Sequence, residues 1–218
     1  MQEFTKISNI FTMDTKGKIT GLQPLFRTLR KVTWEGTEKV DGTNIRIHWD
    51  GHSVEIGGRT DRAQIPTDLY NMLAGRFLSK PMEYKFEEIF GEKDVILFGE
   101  GYGPKIQNGG TYASEPKFIL FDVLVDGKFY LTRANVDDVA EKMELDKVPV
   151  VFYGTIDEAI ECVAQHPMST LGEHQHEMEG LVLQPVGIML YDANGHPLKG
   201  KCKYRDICKA ENLKDLIK

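Results

Sequence analysis

Glu38-Lys39-Val40-Asp41-Gly42-Thr43-Asn44, followed at once by the alternating run Ile45-Arg46-Ile47-His48-Trp49, is the stretch on which the reading of this chain turns. Successive side chains on a strand point to opposite faces, so a lysine set just before such a run is aimed reproducibly. Lys39 is therefore a candidate nucleophile. An amine attacks only after losing its proton, which calls for burial or neighbouring cations, and lysine suits this task where arginine does not. A four-residue K-x-D-G match recurs by accident, so the weight falls on later stretches that would supply the other parts of such a site.

The 218 residues suit one large domain or two small ones with a substantial core, and we read a single domain over 1–218. Hydrophobic residues at 41% and charged residues at 28% are ordinary globular values, which excludes a disordered chain. No apolar run approaches the roughly 20 residues that span a bilayer. The start, Met1-Gln2-Glu3-Phe4-Thr5-Lys6, lacks a basic segment followed by an apolar one, so a cytoplasmic protein is expected. Cys162, Cys202 and Cys208 form no C-x-x-C pair and are read as reduced, structural thiols. The net charge of -6 excludes a general coat of affinity for nucleic acid, and leaves room for a local basic cluster such as Lys199, Lys201, Lys203 and Arg205.

Working outward from Lys39, the N-terminal region predicts a strand or two about a Lys16-Gly17-Lys18 turn, with Arg27, Arg30 and Lys31 on a solvated face. Asp50-Gly51 within an alternating run predicts a hairpin, and Gly57-Gly58 lets the backbone bring the guanidinium of Arg59 close to an anion. Helical spacing over 67–78 and 82–90, with Pro66, Pro81 and Gly91 at their ends, predicts packing helices. An apolar strand from Asp94 is expected to deliver Glu100 into the glycine-rich loop Gly101-Tyr102-Gly103-Pro104. Asp126-Gly127 predicts a second hairpin joining 117–125 to 128–132, and 135–143 and 156–164 read as amphipathic helices about a strand at 150–153. His174 and His176 among acids lack a third ligand at a telling spacing and read as a polar loop. The strand Gly180-Leu181-Val182-Leu183 has an acid, Glu179, at its entrance. Extended, Lys199, Lys201 and Lys203 share one face, and their mutual repulsion calls for something anionic opposite. A helix over 206–217 closes the chain.

The order K-x-D-G (Lys39), an arginine after glycines (Arg59), F-G-E-G (Glu100), F-D-V (Phe121), E-G-L-V-L (Glu179) and K-x-K (Lys201, Lys203) resembles the covalent nucleotidyltransferase superfamily of polynucleotide ligases and capping enzymes. Within it the chain is most similar to RNA ligases of the RNA ligase 2 type, through Phe98-Gly99-Glu100-Gly101-Tyr102-Gly103 and Lys201-Cys202-Lys203. Asp41 departs from the histidine frequent there and matches DNA ligases and capping enzymes, while Gln184 departs from a frequent basic residue. The resemblance implies an α+β, ATP-grasp-like nucleotidyltransferase (ligase adenylation) domain of antiparallel sheets flanked by helices. No OB domain is expected in the fifteen or so residues after Lys203.

By the same resemblance Lys39 is the nucleophile for ATP, and Lys201 and Lys203 hold the α-phosphate. Glu179, with Glu100, takes Mg²⁺ (or Mn²⁺); Glu38, Asn44, Arg59, Glu100 and Phe121 contact the nucleotide, Phe121 by stacking on adenine. The implied activity is an ATP-dependent RNA ligase joining 5'-phosphate and 3'-hydroxyl ends through a lysyl-adenylate and an adenylylated nucleic-acid intermediate. The implied partners are RNA ends or a nicked duplex in preference to DNA, an end-healing partner protein, and no membrane. A minimal ATP-dependent DNA ligase or nick-sealing enzyme, use of GTP in place of ATP, and a noncatalytic nucleotide or nucleic-acid binding module are the alternatives.

Overall fold

The structure is a computed structural model and describes residues 1–210. The N-terminal elements are β1 (Ser8–Asn9), β2 (Phe11–Met13), β3 (Ile19–Leu22), α1 (Pro24–Thr28) and β4 (Trp34–Glu38). Then follow β5 (Thr43–Trp49), β6 (Val54–Gly58), α2 (Thr67–Phe77), α3 (Lys80–Phe90), β7 (Val95–Tyr102), β8 (Lys117–Val125), β9 (Phe129–Tyr130) and α4 (Arg133–Lys142). The remaining elements are β10 (Val150–Gly154), α5 (Ile156–Ala164), β11 (Gly180–Pro185), β12 (Gly200–Lys203) and α6 (Tyr204–Ile207). This is the expected mixed α+β architecture, with antiparallel sheets and flanking helices.

The chain divides into two compact units. The Phe121 unit takes residues 1–5, 40–148 and 172–174. Its sheet runs β6-β5-β7-β8-β9, antiparallel throughout. The alternation of β5 puts Ile45, Ile47 and Trp49 on one face, where they join Leu69, Leu73 and Phe77 of α2, Phe86 of α3 and Val136 and Val139 of α4 in one core. Both expected hairpins form. At the second, Asp126 and Gly127 have φ of 51° and 64°, left-handed conformations that suit a tight turn between twisted strands.

The Lys39 unit takes residues 6–39, 149–171 and the described residues from 175 on. Its main sheet runs β1-β12-β11-β4-β10, with β2 and β3 forming a separate hairpin about Lys16-Gly17-Lys18. Trp34, Leu181, Leu183 and Cys202 pack with Ile156, Ile160 and Val163 of α5. A capping box between Thr155 and Glu158 starts α5. Burial pushes the Cys202 thiol well above its ordinary range, in keeping with a structural role.

Two strand placements differ from the expectations. Strand β4 carries Lys39 at its end, although Trp34-Glu35-Gly36-Thr37-Glu38 shows no plain alternation; the strand is central, between β11 and β10, and tertiary pairing overrides its weak local pattern. Glu100 lies within β7 and not in the loop beyond it, since both neighbouring strands extend pairing through Gly101. Of the predicted terminal helix, α6 at Tyr204–Ile207 is described, and residues 211–217 lie outside the described residues. Arg30, largely buried, and Lys31, exposed as expected, bond Asp157 of α5 at 2.5 and 3.0 Å.

Candidate active site

The Lys39 unit assembles its charges from three adjacent strands. In the register of β4, β11 and β12, Leu181 faces Glu38 on one side and Cys202 on the other, and Gly180 faces Lys203. The backbone N–H of Lys39 donates to the Gly180 carbonyl at 2.9 Å, which extends the β4–β11 ladder one residue beyond the strand and fixes the lysine beside the entrance of β11. Glu179, at that entrance, is thereby bracketed: Lys39 Nζ lies 2.7 Å from Oε2 and Lys203 Nζ 3.7 Å from Oε1. Close approach of β12 explains the glycine that follows Glu179, because a Cβ on Gly180 would sit 2.1 Å from the Cys202 carbonyl oxygen. The anionic partner expected opposite the lysine strand is Glu179.

Burial lowers the pKa of Lys201, helped by the charges of Lys203, Lys6 and Lys39 against Asp206. Lys203 is lowered by burial as well, with Glu179 and Asp206 opposing. Cations gathered with so few carboxylates are costly to desolvate and gain most when an anion arrives. Glu38, one position before Lys39, is buried, and its carboxylate accepts bonds from the Ser169 hydroxyl and from the Thr170 N–H and hydroxyl at 2.9 and 2.8 Å. In this structure Glu38 fastens the loop at Ser169–Thr170.

The Phe121 unit carries the other candidate residues, Asn44, Arg59, Glu100 and Phe121. Asn44 and Glu100 stand directly opposite each other on β5 and β7. The Asn44 Oδ1 is buried without a hydrogen-bond partner, a cost that a ligand donor would relieve. Phe121 is the extra residue of a bulge: Asp122 faces Phe98 and Leu120 faces Gly99, so residue 121 has no partner in β7. Bulges re-aim side chains, and this one leaves the Phe121 ring half-buried. Arg59, one residue past β6, is exposed. In the K-x-D-G turn, Asp41 accepts from Asn108 Nδ2 at 2.6 Å, and a Cβ on Gly42 would lie 2.4 Å from the Gly101 carbonyl oxygen. That glycine is there for the close passage of β7.

Arg46, Asn108, Ser169 and Thr170 escaped the sequence reading. Arg46 had a signal, a charge flanked by Ile45 and Ile47 in a strand; the others act through loops whose partners lie far away in sequence. His174 and His176 lie in irregular chain between α5 and β11; among the described residues no group of three or more His, Cys, Asp or Glu side chains could hold a metal. Glu173 of that loop instead bonds Ser114 and Lys117, with Lys117 foremost in holding its carboxyl down at about 2. The described residues include no helix long and apolar enough to cross a membrane.

The fold is that of solved RNA ligases. An RNA ligase of Naegleria gruberi with ATP and Mn superposes with a TM-score of 0.65 at 17% identity, over 96% of this chain and 63% of that one. A form of the same enzyme with AMP and Mn gives 0.62 at 16%, over 91% and 61%, and one with PPi gives 0.61 at 17%, over 93% and 62%. The chain thus spans about three fifths of the length of those proteins. The RNA ligase family profile matches residues 32–205, and the chain belongs to that family. No curated protein matches it significantly.

Proposed function

We propose that residues 1–218 act as one nucleotidyltransferase domain of an ATP-dependent RNA ligase. Lys39 Nζ attacks the α-phosphorus of ATP, an N–P bond forms as the bond to the pyrophosphate oxygen breaks, and the amine's proton leaves to a base. The adenylate then passes to a 5'-phosphate end, and a 3'-hydroxyl displaces AMP. The reading is supported above all by the bracketed carboxylate, Glu179, with Lys39 at 2.7 Å and Lys203 at 3.7 Å. Phosphoryl transfer is chiefly positioning and charge stabilisation, which Lys201 and Lys203 would supply at the α-phosphate.

A divalent ion fits as well: Mg²⁺ commonly binds through one or two carboxylates plus substrate phosphates, and Glu179 offers such a carboxylate. The ion, held at Glu179, would neutralise charge developing on the phosphates, and Glu100 is a second carboxylate proposed as a metal ligand. Phe121 would stack on the adenine, Asn44 and Arg59 would contact the nucleotide, and Glu38 would shape the wall beside the nucleophile. The Naegleria ligase was crystallised with ATP and Mn, and this supports the same nucleotide and a divalent metal here. RNA ends or a nicked duplex would be the substrate, an end-healing protein would prepare them, and the cytoplasm would be the setting.

The test is intact-protein mass spectrometry with ATP and Mg²⁺. The expected result is an added AMP that maps to Lys39 and is absent from Lys39→Ala. Sealing of nicked all-DNA duplex alone would instead favour the DNA ligase to which Asp41 points.

A further inference from the structure

Arg46 is 1% exposed and takes no part in the chemistry above. Alternation along β5 puts it on the face opposite Ile45 and Ile47. A buried guanidinium must find acceptors for its donors. Its Nε donates to the Gly58 carbonyl, its Nη1 to the carbonyls of Met1 and Gln2 at 3.1 Å each, and its Nη2 to Asp61 at 2.9 Å. Three of the four acceptors are backbone oxygens, so Arg46 clamps two segments of chain, Met1–Thr5 and the turn that carries Arg59. Two more bonds stitch those segments together: Phe4 N–H to the Arg59 carbonyl at 3.2 Å, and Asp61 N–H to Glu3 at 3.1 Å. Held in this way, the Phe4 ring stands 5.1 Å from Phe98 and 5.2 Å, edge-on, from Phe121.

We propose that Arg46 and the N-terminal strap are a positioning device for the nucleotide end of the site, Arg46 acting through Phe4 on Phe121 and through Gly58 and Asp61 on Arg59. The proposal rests on the reading that Phe121 and Arg59 receive the nucleotide. A bulged residue lacks the opposite strand that would fix its ring, so lateral contact decides where the ring points. Phe4 supplies that contact. A strap that served only to cover Phe98 would affect stability and leave nucleotide affinity alone.

The experiment compares Phe4→Ala, Phe4→Leu and Phe4→Tyr by equilibrium titration with ATP and Mg²⁺, by thermal melting, and by lysine adenylation. Phe4→Ala is expected to weaken ATP binding about 3- to 10-fold, as loss of one aromatic contact predicts, while kcat at saturating ATP stays within about twofold. Phe4→Leu, which keeps the apolar cover without the ring, should behave the same, and Phe4→Tyr should restore affinity. In a Phe121→Ala background the effect of Phe4→Ala should shrink to less than about twofold, since coupled residues are not additive. Unchanged affinity in Phe4→Ala, or an equal loss in both backgrounds, overturns the proposal. Wild-type protein that binds ATP yet forms no adduct on Lys39 would sink the ligase reading and leave this one standing; wild-type protein that binds no ATP removes both.

Discussion

The two units prepare their functional side chains in different ways. In the Lys39 unit the sheet itself does the work: β4, β11 and β12 are neighbours, and their register alone sets Lys39, Glu179 and Lys203 side by side. In the Phe121 unit the groups depend on departures from regularity, a bulge at Phe121, a turn at Arg59 and a loop residue, Asn108, holding Asp41. Under the proposed function, charges acting on one phosphorus need fixed spacing, which regular pairing provides, and a planar ring accommodating a base needs aim, which irregular backbone provides.

The largest expected effect breaks the first region. Lys203→Met should lower the adenylation rate about 10²- to 10³-fold, the cost typical of losing one preorganised charge donor. Because burial already disfavours this ammonium, the same variant should melt no lower than wild type and up to a few degrees higher. Melting several degrees lower would mean that the lysine supports the fold.

A pH titration sharpens the point. Lys201 and Lys203 have pKa values below the ordinary 10.5 in the folded chain, so the unfolded chain binds more protons between the lowered values and 10.5. Their penalty on stability is full below the folded values and fades as pH rises through that window. Adenylation should fall over the same alkaline range as the phosphate-binding charge is lost, and Lys201→Arg, which keeps its charge, should move that fall to higher pH.

The smallest effect belongs to the second region. Asn108→Ala removes the partner of Asp41 and should cost about 1 kcal/mol or less in stability, since the bond is solvent-exposed, with a severalfold loss in adenylation and no change in its pH profile.

The legibility of the molecule in its sequence follows the same division. Turn chemistry announced the hairpins at Asp50-Gly51 and Asp126-Gly127, and helical spacing announced α2, α3, α4 and α5, because those signals are local. The pairing of Lys39 with Glu179 spans 140 residues, and composition or periodicity could not have shown it; motif order pointed to it. Gly99 and Gly101 read as loop residues about Glu100, whereas in the folded chain they sit in a strand crowded by Phe118 and Leu69. The role of Arg46 was invisible because its acceptors are carbonyls, which carry no residue identity.

The bulge carries one further consequence. A residue without an opposite number in the neighbouring strand can be exchanged without unravelling the ladder on either side. Under the proposed function, position 121 is thus a place where the preference for one base over another would be rewritten by substitution while the sheet keeps its hydrogen bonds, and a nucleotide-swapped variant would be sought there before anywhere on β4, β11 or β12.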